Sequence, residues 1–377
     1  MVGGGIGSFI GGVHRMAASI DGQIDLVCGA FSSDPSRSYE SGKQLLLPDN
    51  RIYQSYDEMI AKEKALPAEQ RMDFLSVVTP NHVHFKPCKM ALENGFHVIC
   101  DKPVTISLNE AKELKSIVER TDLLFALTHN YTAYPMVKQA REMVKSGQIG
   151  KIRKVIVEYS QGWLATKLED TGQKQAAWRA DPSKSGSGGA IGDIGTHAAN
   201  LAEYITDVPI DAVCADLTSF VEGRLLDDDA NVLLRFVNGA KGVLHVSQIC
   251  VGEENNLKIK VFGETGGIEW EQQEPNSLQF RSLDQPLQIF RTASSKVSDV
   301  ANQVSRIPAG HPEGYLEAFA TIYQKFSKVI RNRKENVKTE NYDLDFPSID
   351  EGIRGMAFIE KVIVASKGEQ KWIKLSQ

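Results

Sequence analysis

The chain has 377 residues, 42% of them hydrophobic and 24% charged, enough for two soluble domains with a core each. A net charge of -5 and the lack of a long basic run argue against a nucleic-acid partner, and no apolar stretch approaches the length of a membrane span. The five cysteines lack CxxC spacing, which reads as reduced thiols of a cytoplasmic protein rather than a disulfide framework or a zinc site.

The chain opens on a glycine-rich stretch. Gly3 and Gly5 take the first two glycine places of a dinucleotide loop and Ser8 takes the third, with Ile6, Gly7 and Phe9 alongside. Small residues there let backbone N–H groups at a helix N-terminus approach a pyrophosphate. Met1 and Val2 are all that precede the loop, against about five residues in an ordinary strand. An upstream start carrying an export signal therefore stays an alternative to a cytoplasmic chain. A helix follows to about residue 18, and 24–31 reads as a second, buried strand. The acidic residue usual after that strand is missing: Ser32 and Ser33 stand there, with Asp34 beyond and Arg37 nearby. Hydroxyls with an arginine suit the 2′-phosphate of NADP, whereas Asp34 suits the ribose of NAD, and the two stay open.

The alternation continues with a helix at 56–65 and a strand at 73–79 that ends in Thr79, Pro80, Asn81 and His82. A helix at 83–94 stops at Gly95, and a strand at 97–100 runs into Asp101, Lys102 and Pro103. Ser107 and Glu110 have the spacing of a capping box, and a strand at 123–128 leads to His129, Asn130 and Tyr131. Strands and helices alternating at these lengths make a parallel, doubly wound sheet, whose ligands bind beyond the carboxyl ends of the strands. Thr79, Pro80, Asn81, His82, Asp101, Lys102 and Asn130 all fall at that edge. His82, His84, His97, His129 and His197 have no carboxylate or cysteine at ligand spacing, so no metal is expected.

The second half changes character. After a helix at 134–146 come a strand at 152–160 and a loop at 162–188 carrying Trp163, Trp178 and Arg179. Asp193 and His197 then sit four apart in a helix start rich in small residues, so they share a face and can hydrogen-bond. Strands near 210–218, 229–236, 241–250, 256–262 and 267–270 follow with no helix between them, and Asn238-Gly239 marks a hairpin, so this sheet is mostly antiparallel. Residues 271–309 read as irregular, 312–329 and 348–366 as helices, and 371–375 as a last strand. The division drawn from this is 1–130 for dinucleotide binding and 131–377 for substrate binding and oligomerisation. Trp163 and Trp178 suit stacking on a sugar ring, with Arg179 donating to hydroxyls; anchoring of the loop is the alternative use of the indoles.

Taken in order, the glycine loop, Thr79-Pro80-Asn81-His82, Asp101-Lys102-Pro103, the segment from Gly192 to His197, and Gly263-Glu264-Thr265-Gly266-Gly267 resemble the Gfo/Idh/MocA family of glucose–fructose oxidoreductase and inositol dehydrogenase type. The resemblance implies an N-terminal Rossmann domain and a C-terminal domain built on a large, mostly antiparallel open sheet whose bare face makes homodimers or homotetramers. It implies an NAD- or NADP-dependent hydride transfer at a secondary alcohol or ketone of a sugar, glycoside or cyclitol. By motif, Lys102, Asp193 and His197 correspond to the family's catalytic lysine, aspartate and histidine, and the bond before Pro103 is expected to be cis. Asp101 stands where the family commonly has glutamate, and Thr132 where many members have arginine, so no role passes to Thr132. Gly162-Trp163, Gln175 to Arg179 and Gly310 to Gly314 are similar to a levoglucosan dehydrogenase-like subgroup. Tyr131, Trp163, Trp178, Arg179 and His311 are accordingly the substrate-binding candidates beside Lys102, Asp193 and His197. A non-catalytic NAD(P)-sensing regulator, which needs no such trio, and a glycosidase using NAD for transient ring oxidation are the alternatives on the same fold.

Overall fold

Strands covered on both faces must be apolar at nearly every position, and the runs around residues 75, 98 and 126 are. In the computed structural model, which describes residues 1–375, β1 (Val2–Gly3), β2 (Phe74–Val78), β3 (His97–Cys100) and β4 (Phe125–Leu127) form a parallel sheet in that order. The strand expected at 24–31 is a correction. Only Gly29 and Ala30 bridge there, Ala30 to Val2 and Gly29 to Ile52. Ile24 and Leu26 are only half-buried and Val27 is exposed, so this run lacks the covered faces that hold a full strand in the sheet. The two bridges still carry the pairing outward from β1, giving the order of a doubly wound dinucleotide fold.

Five helices connect these strands: α1 (Phe9–Ser19), α2 (Pro35–Gln44), α3 (Tyr56–Ala65), α4 (Phe85–Glu93) and α5 (Leu108–Thr121). Ser8, Asp34, Ser55 and Ser107 cap four of them, each side chain accepting from backbone N–H groups of the first turn. Helix α2 is not among the expected elements, although Asp34-Pro35 is a helix-start signal of N-cap followed by proline.

The second unit holds α6 (Pro135–Lys145), β5 (Lys154–Ser160), α7 (Lys174–Arg179), α8 (Pro182–Ser185) and α9 (Thr196–Thr206). It continues with β6 (Ile210–Thr218), β7 (Asp229–Phe236), β8 (Lys241–Ser247), β9 (Asn256–Phe262), β10 (Gly266–Glu271), β11 (Ser277–Ser282), β12 (Gln288–Arg291) and α10 (Asp299–Asn302). With β13 (Ile373–Lys374) they make a nine-stranded sheet, β12-β11-β10-β9-β5-β8-β7-β6-β13, antiparallel except at the β5–β8 pair. Along β7, Ala230, Val232, Leu234 and Phe236 are buried while Asn231, Leu233 and Arg235 face outward, the two-residue period of a sheet covered on one side. The stretch 271–309, expected to be irregular, contains β11 and β12. They lie at the sheet edge with Leu278 as the one buried residue of the pair, so no hydrophobic alternation announces them. The loop 162–188 likewise contains two short helices, α7 and α8.

The chain then returns. With α11 (Tyr315–Glu335) and α12 (Ile349–Lys367), the units are Met1–Thr128 with Tyr315–Ile353, and His129–Gly314 with the stretch from Arg354 onward. This differs from the division into 1–130 and 131–377, because α11 covers the first sheet. Phe319 and Phe326 meet His14 and Phe74 at ring distances of 5.1 and 5.4 Å, and the Tyr323 hydroxyl lies 2.8 Å from both His14 Nδ1 and Ser76 Oγ. Periodicity shows that a helix has an apolar face but not which sheet that face covers. No described helix is long and apolar enough to cross a membrane, and all five cysteines are free.

Two histidines of the first unit are held neutral. His97 Nδ1 accepts the Leu124 N–H at 2.9 Å, and burial presses His97 and His14 from 6.5 down to about 4. A depressed folded value gives stability that is complete above the unfolded value and lost as pH falls through the folded one. The melting temperature should therefore fall between pH 6.5 and 4. His97→Asn, which keeps an acceptor near the Nδ1 position and does not titrate, should lose on the order of 3 kcal/mol less over that range. Denaturant titrations at each pH, with the two proteins falling in parallel, would refute this.

Candidate active site

The glycine loop of the first unit is built for close approach. A Cβ on Gly11 would lie 2.3 Å from the Gly4 Cα, so α1 packs against the loop as only a glycine allows. Gly7, at φ +78°, has nothing within 4 Å of its Cβ position and lies open to a ligand. Gly3 and Gly5 donate their N–H groups to the Ala30 and Phe31 carbonyls, and Ile6 N–H donates to Ser41 Oγ. Ser8 caps α1 by accepting from Gly11 N–H, and Phe9 is 64% exposed beside it. This cradle fits a dinucleotide pyrophosphate.

Ser32 Oγ accepts the Asp34 N–H, while Ser33 and Arg37 are exposed. Asp34 spends its carboxylate on capping α2, and the Ser36 hydroxyl, then the Arg37 and Ser36 N–H groups, hold it below the usual carboxylate range. Beyond β2, Thr79 and Pro80 are half-buried, Asn81 is buried and His82 is exposed. Thr79 Oγ1 is buried without a protein partner, as a group kept for a ligand would be. Beyond β3, the Lys102-Pro103 bond is cis, in line with the expectation. Asp101 Oδ1 accepts from Lys102 N–H and from Thr128 Oγ1, both at 2.8 Å, so this carboxylate braces two strand ends.

In the second unit the register of three strands assembles a polar row. Ser160 at the end of β5 pairs with Ser247 at the end of β8 and with Asn256 at the start of β9. The neighbouring residues Gln161, Gln248 and Asn255 therefore emerge side by side. Gln248 Nε2 donates to Asp193 Oδ2 at 2.9 Å and to Gln161 Oε1 at 3.4 Å; Gln161 Nε2 donates to Asn255 Oδ1 at 2.6 Å. Tyr159 Oη also donates to Asn255 Oδ1, and the Tyr131 and Tyr159 hydroxyls lie 2.6 Å apart. Trp163 Nε1 donates to Gln161 Oε1. On the other flank Arg179 Nε donates to Asp193 Oδ2 at 3.3 Å, and its guanidinium stands 4.2 Å from the centre of the Trp178 ring and 6.0 Å from that of Trp163. Tyr131, Trp163, Trp178, Arg179 and Asp193 thus belong to one bonded assembly. His311 does not join it: the residue is exposed, and its ring bonds to the Pro308 carbonyl of its own turn.

His197 is buried, its ring 4.8 Å from that of Tyr131 and its Nδ1 3.4 Å from His129 Nδ1. The helix start expected to carry Asp193 and His197 on one face is a π-type turn over Ile191–Gly195, followed by α9. Within this turn Asp193 is held by Arg179 and Gln248. Asn130 is buried with its Nδ2 unpartnered.

Two further residues fix this region. Asp227 accepts the Gly189 and Ile191 N–H groups on its carboxylate, at 2.7 Å each, and the Ala190 N–H on its carbonyl at 2.8 Å. Burial pushes its carboxyl up to about 6 against the pull of those donors. Arg224, 2% exposed at its side chain, donates to both Glu169 oxygens, to Asp228 Oδ2 and to the Leu164 and Thr166 carbonyls. All five guanidinium N–H groups are thereby used, and the loop after Trp163 is clamped. Sequence reasoning missed Gln161, Gln248, Asn255, Asp227 and Arg224, because neither amides at strand ends nor charges that brace loops form a motif. Among the described residues no group of His, Cys, Asp and Glu is placed to hold a metal ion.

Residues 1–129 match the model of the oxidoreductase family with NAD-binding Rossmann fold, and 137–269 match the GFO/IDH/MocA C-terminal domain. The crystal structure of an oxidoreductase from Sinorhizobium meliloti is 43% identical, with a TM-score of 0.89 over 99% of this chain and 98% of that one. An inositol dehydrogenase homolog from Azotobacter vinelandii, complexed with NADH and myo-inositol, is 32% identical, with a TM-score of 0.91 over 99% and 96%. A levoglucosan dehydrogenase from Pseudarthrobacter phenanthrenivorans is 27% identical over 80% of each chain.

The Asp227 clamp makes a prediction. In Asp227→Asn an amide NH2 faces one of the two N–H groups, leaving a buried donor unpaired at a cost of about 1–3 kcal/mol. Denaturant unfolding at neutral pH should register that loss, and a variant as stable as the parent would remove the clamp from the account.

Proposed function

The chain belongs to the Gfo/Idh/MocA family of oxidoreductases with an NAD-binding Rossmann domain, and we propose that it moves a hydride between a nicotinamide cofactor and a ring CH–OH of a cyclitol or sugar. The observation that carries this reading is the row Asp193–Gln248–Gln161–Asn255, flanked by two indoles and a guanidinium. A polyol ring presents successive hydroxyls that each donate and accept. A carboxylate and three amides offer acceptors and donors in turn, so a ring lacking one hydroxyl would leave a buried partner unpaired. The myo-inositol complex of the Azotobacter relative and the activity named for the levoglucosan dehydrogenase support a polyol of this kind.

When bound, the nicotinamide supplies the hydride acceptor. The chain's own part is the proton. Lys102 takes the hydroxyl proton as the carbinol hydrogen leaves, and its main chain is fixed by the Asp101 carboxylate for that task. Of the facing nitrogens of His129 and His197, one donates and the other accepts. With His129 donating, His197 carries its proton on Nε2 and polarises the substrate oxygen. Asp193, fixed by Arg179 and Gln248, holds a neighbouring hydroxyl. Ser33 and Arg37, left exposed while Asp34 caps α2, favour a 2′-phosphate and hence NADP alongside NAD. Exposed Ile156, Leu233 and Ile289 on the large sheet suit a homodimer or homotetramer, and Leu233→Lys should lower the mass seen by light scattering.

A screen of myo-inositol, levoglucosan and D-xylose with both cofactors, following reduced nicotinamide by absorbance, tests the class. Lys102→Ala should lower turnover by about 1000-fold while NADH, titrated by fluorescence, binds nearly as before. Turnover retained in that variant would sink the assignment.

A further inference from the structure

His84, the residue before α4, is fully buried. Its Nδ1 lies 2.7 Å from the Pro103 carbonyl oxygen and its Nε2 2.8 Å from that of Thr79. Carbonyl oxygens only accept, so each bond needs an N–H on the ring. Thr79 directly follows β2, and Pro103 directly follows Lys102, so one imidazole spans the two loops leaving the carboxyl ends of neighbouring strands. Lys102 is thereby bound on both sides: its own N–H donates to Asp101, and the carbonyl of the next residue accepts from His84. Burial pushes the imidazole down, opposed by the charge of Asp101 and by the two carbonyls. Burial outweighs those opposing groups, so the neutral ring has one N–H to give, and its tautomer decides which of the two oxygens is bonded at a time.

We propose that His84 is a positioning residue that joins the cofactor turn at Thr79 to the Lys102 loop and holds the two at one spacing through its two ring nitrogens. This rests on the role given to Lys102 above. A strut of this kind acts on two quantities separately. The Pro103 bond sets the aim of Lys102 and so governs turnover; the Thr79 bond sets the turn carrying Thr79, Pro80 and Asn81 and so governs cofactor affinity. A residue that merely fills the core would move both together, in step with stability.

Three substitutions separate these effects. His84→Phe keeps the ring volume and neither bond. His84→Asn places an amide nitrogen near the Nδ1 position and keeps the bond to Pro103; His84→Gln places one near Nε2 and keeps the bond to Thr79. Turnover is measured with NAD and either myo-inositol or levoglucosan, whichever the parent oxidises faster, and NADH affinity by fluorescence. His84→Phe should lose about 100-fold in kcat and about 10-fold in NADH affinity, the scale of a misplaced reacting group. His84→Asn should keep kcat within about 3-fold and lose NADH affinity; His84→Gln should do the reverse. An activity-free readout is the carbon-13 resonance of reductively methylated Lys102, assigned with Lys102→Arg. It should stay in place in His84→Asn and shift in His84→Gln and His84→Phe. Asn and Gln variants that change alike, or a Phe variant with the parent's kcat, NADH affinity and Lys102 resonance, overturn the inference. Lys102→Ala is run beside them. If it is inactive while His84→Phe matches the parent, the strut fails and the reading of Lys102 stands; if it turns over, that reading fails and the strut falls with it.

Discussion

A buried polar group without a partner costs about 1–3 kcal/mol, and that constraint decides how each functional side chain here is held. Asp193 lies among apolar residues of a π-type turn and is kept there by Arg179 and Gln248. Gln248 in turn satisfies Gln161, and Gln161 satisfies Asn255, so the first charge imposes order on amides from three strand ends. Arg224 obeys the same rule from the other side: with all its donors satisfied it has one orientation, and the loop bearing Trp163 inherits it. Among the buried side-chain atoms that escape the rule are Thr79 Oγ1 and Asn130 Nδ2, and both belong to motifs that read as ligand-binding.

The parallel sheet and the central strands of the second sheet were legible in the sequence because covered strands are apolar and half-covered ones alternate. The motifs at strand ends were legible for a related reason: chemistry sits where regular structure stops, and only Asp101 separates Lys102 from an apolar strand. What could not be read was mostly pairing. Residues 24–31 have the composition of a strand but lack cover on their faces, and β11 and β12 form a ladder with almost nothing buried. Gln161, Gln248 and Asn255 lie far apart in the chain and become neighbours only through the register of β5 with β8 and β9. Asp193 and His197 were singled out by their spacing, and the π-type turn that carries Asp193 is a property of the backbone that spacing does not reveal.

The two sites of bracing are alike in kind. Asp227 holds three consecutive residues, Gly189, Ala190 and Ile191, at the start of one functional segment, and Asp101 ties the ends of β3 and β4 at another. In both, a carboxylate that could serve a ligand is committed to backbone or hydroxyl donors instead. Rigidity is thus drawn from side chains next to the reactive ones, which leaves Lys102 and Asp193 to differ in surroundings without differing in foundation.

The return of α11 to the first sheet bears on how such a chain can be cut and recombined. Phe319, Tyr323 and Phe326 cover His14, Ser76 and Phe74, so the amino-terminal stretch 1–128 lacks part of its own hydrophobic lid. A gene segment ending near codon 128 would encode a sheet with an open apolar flank. Exchange of the cofactor-binding module between relatives by a single crossover is therefore disfavoured: each unit is made of two stretches of chain, so 1–128 has to move with 315–353, and 129–314 with the stretch from Arg354 onward.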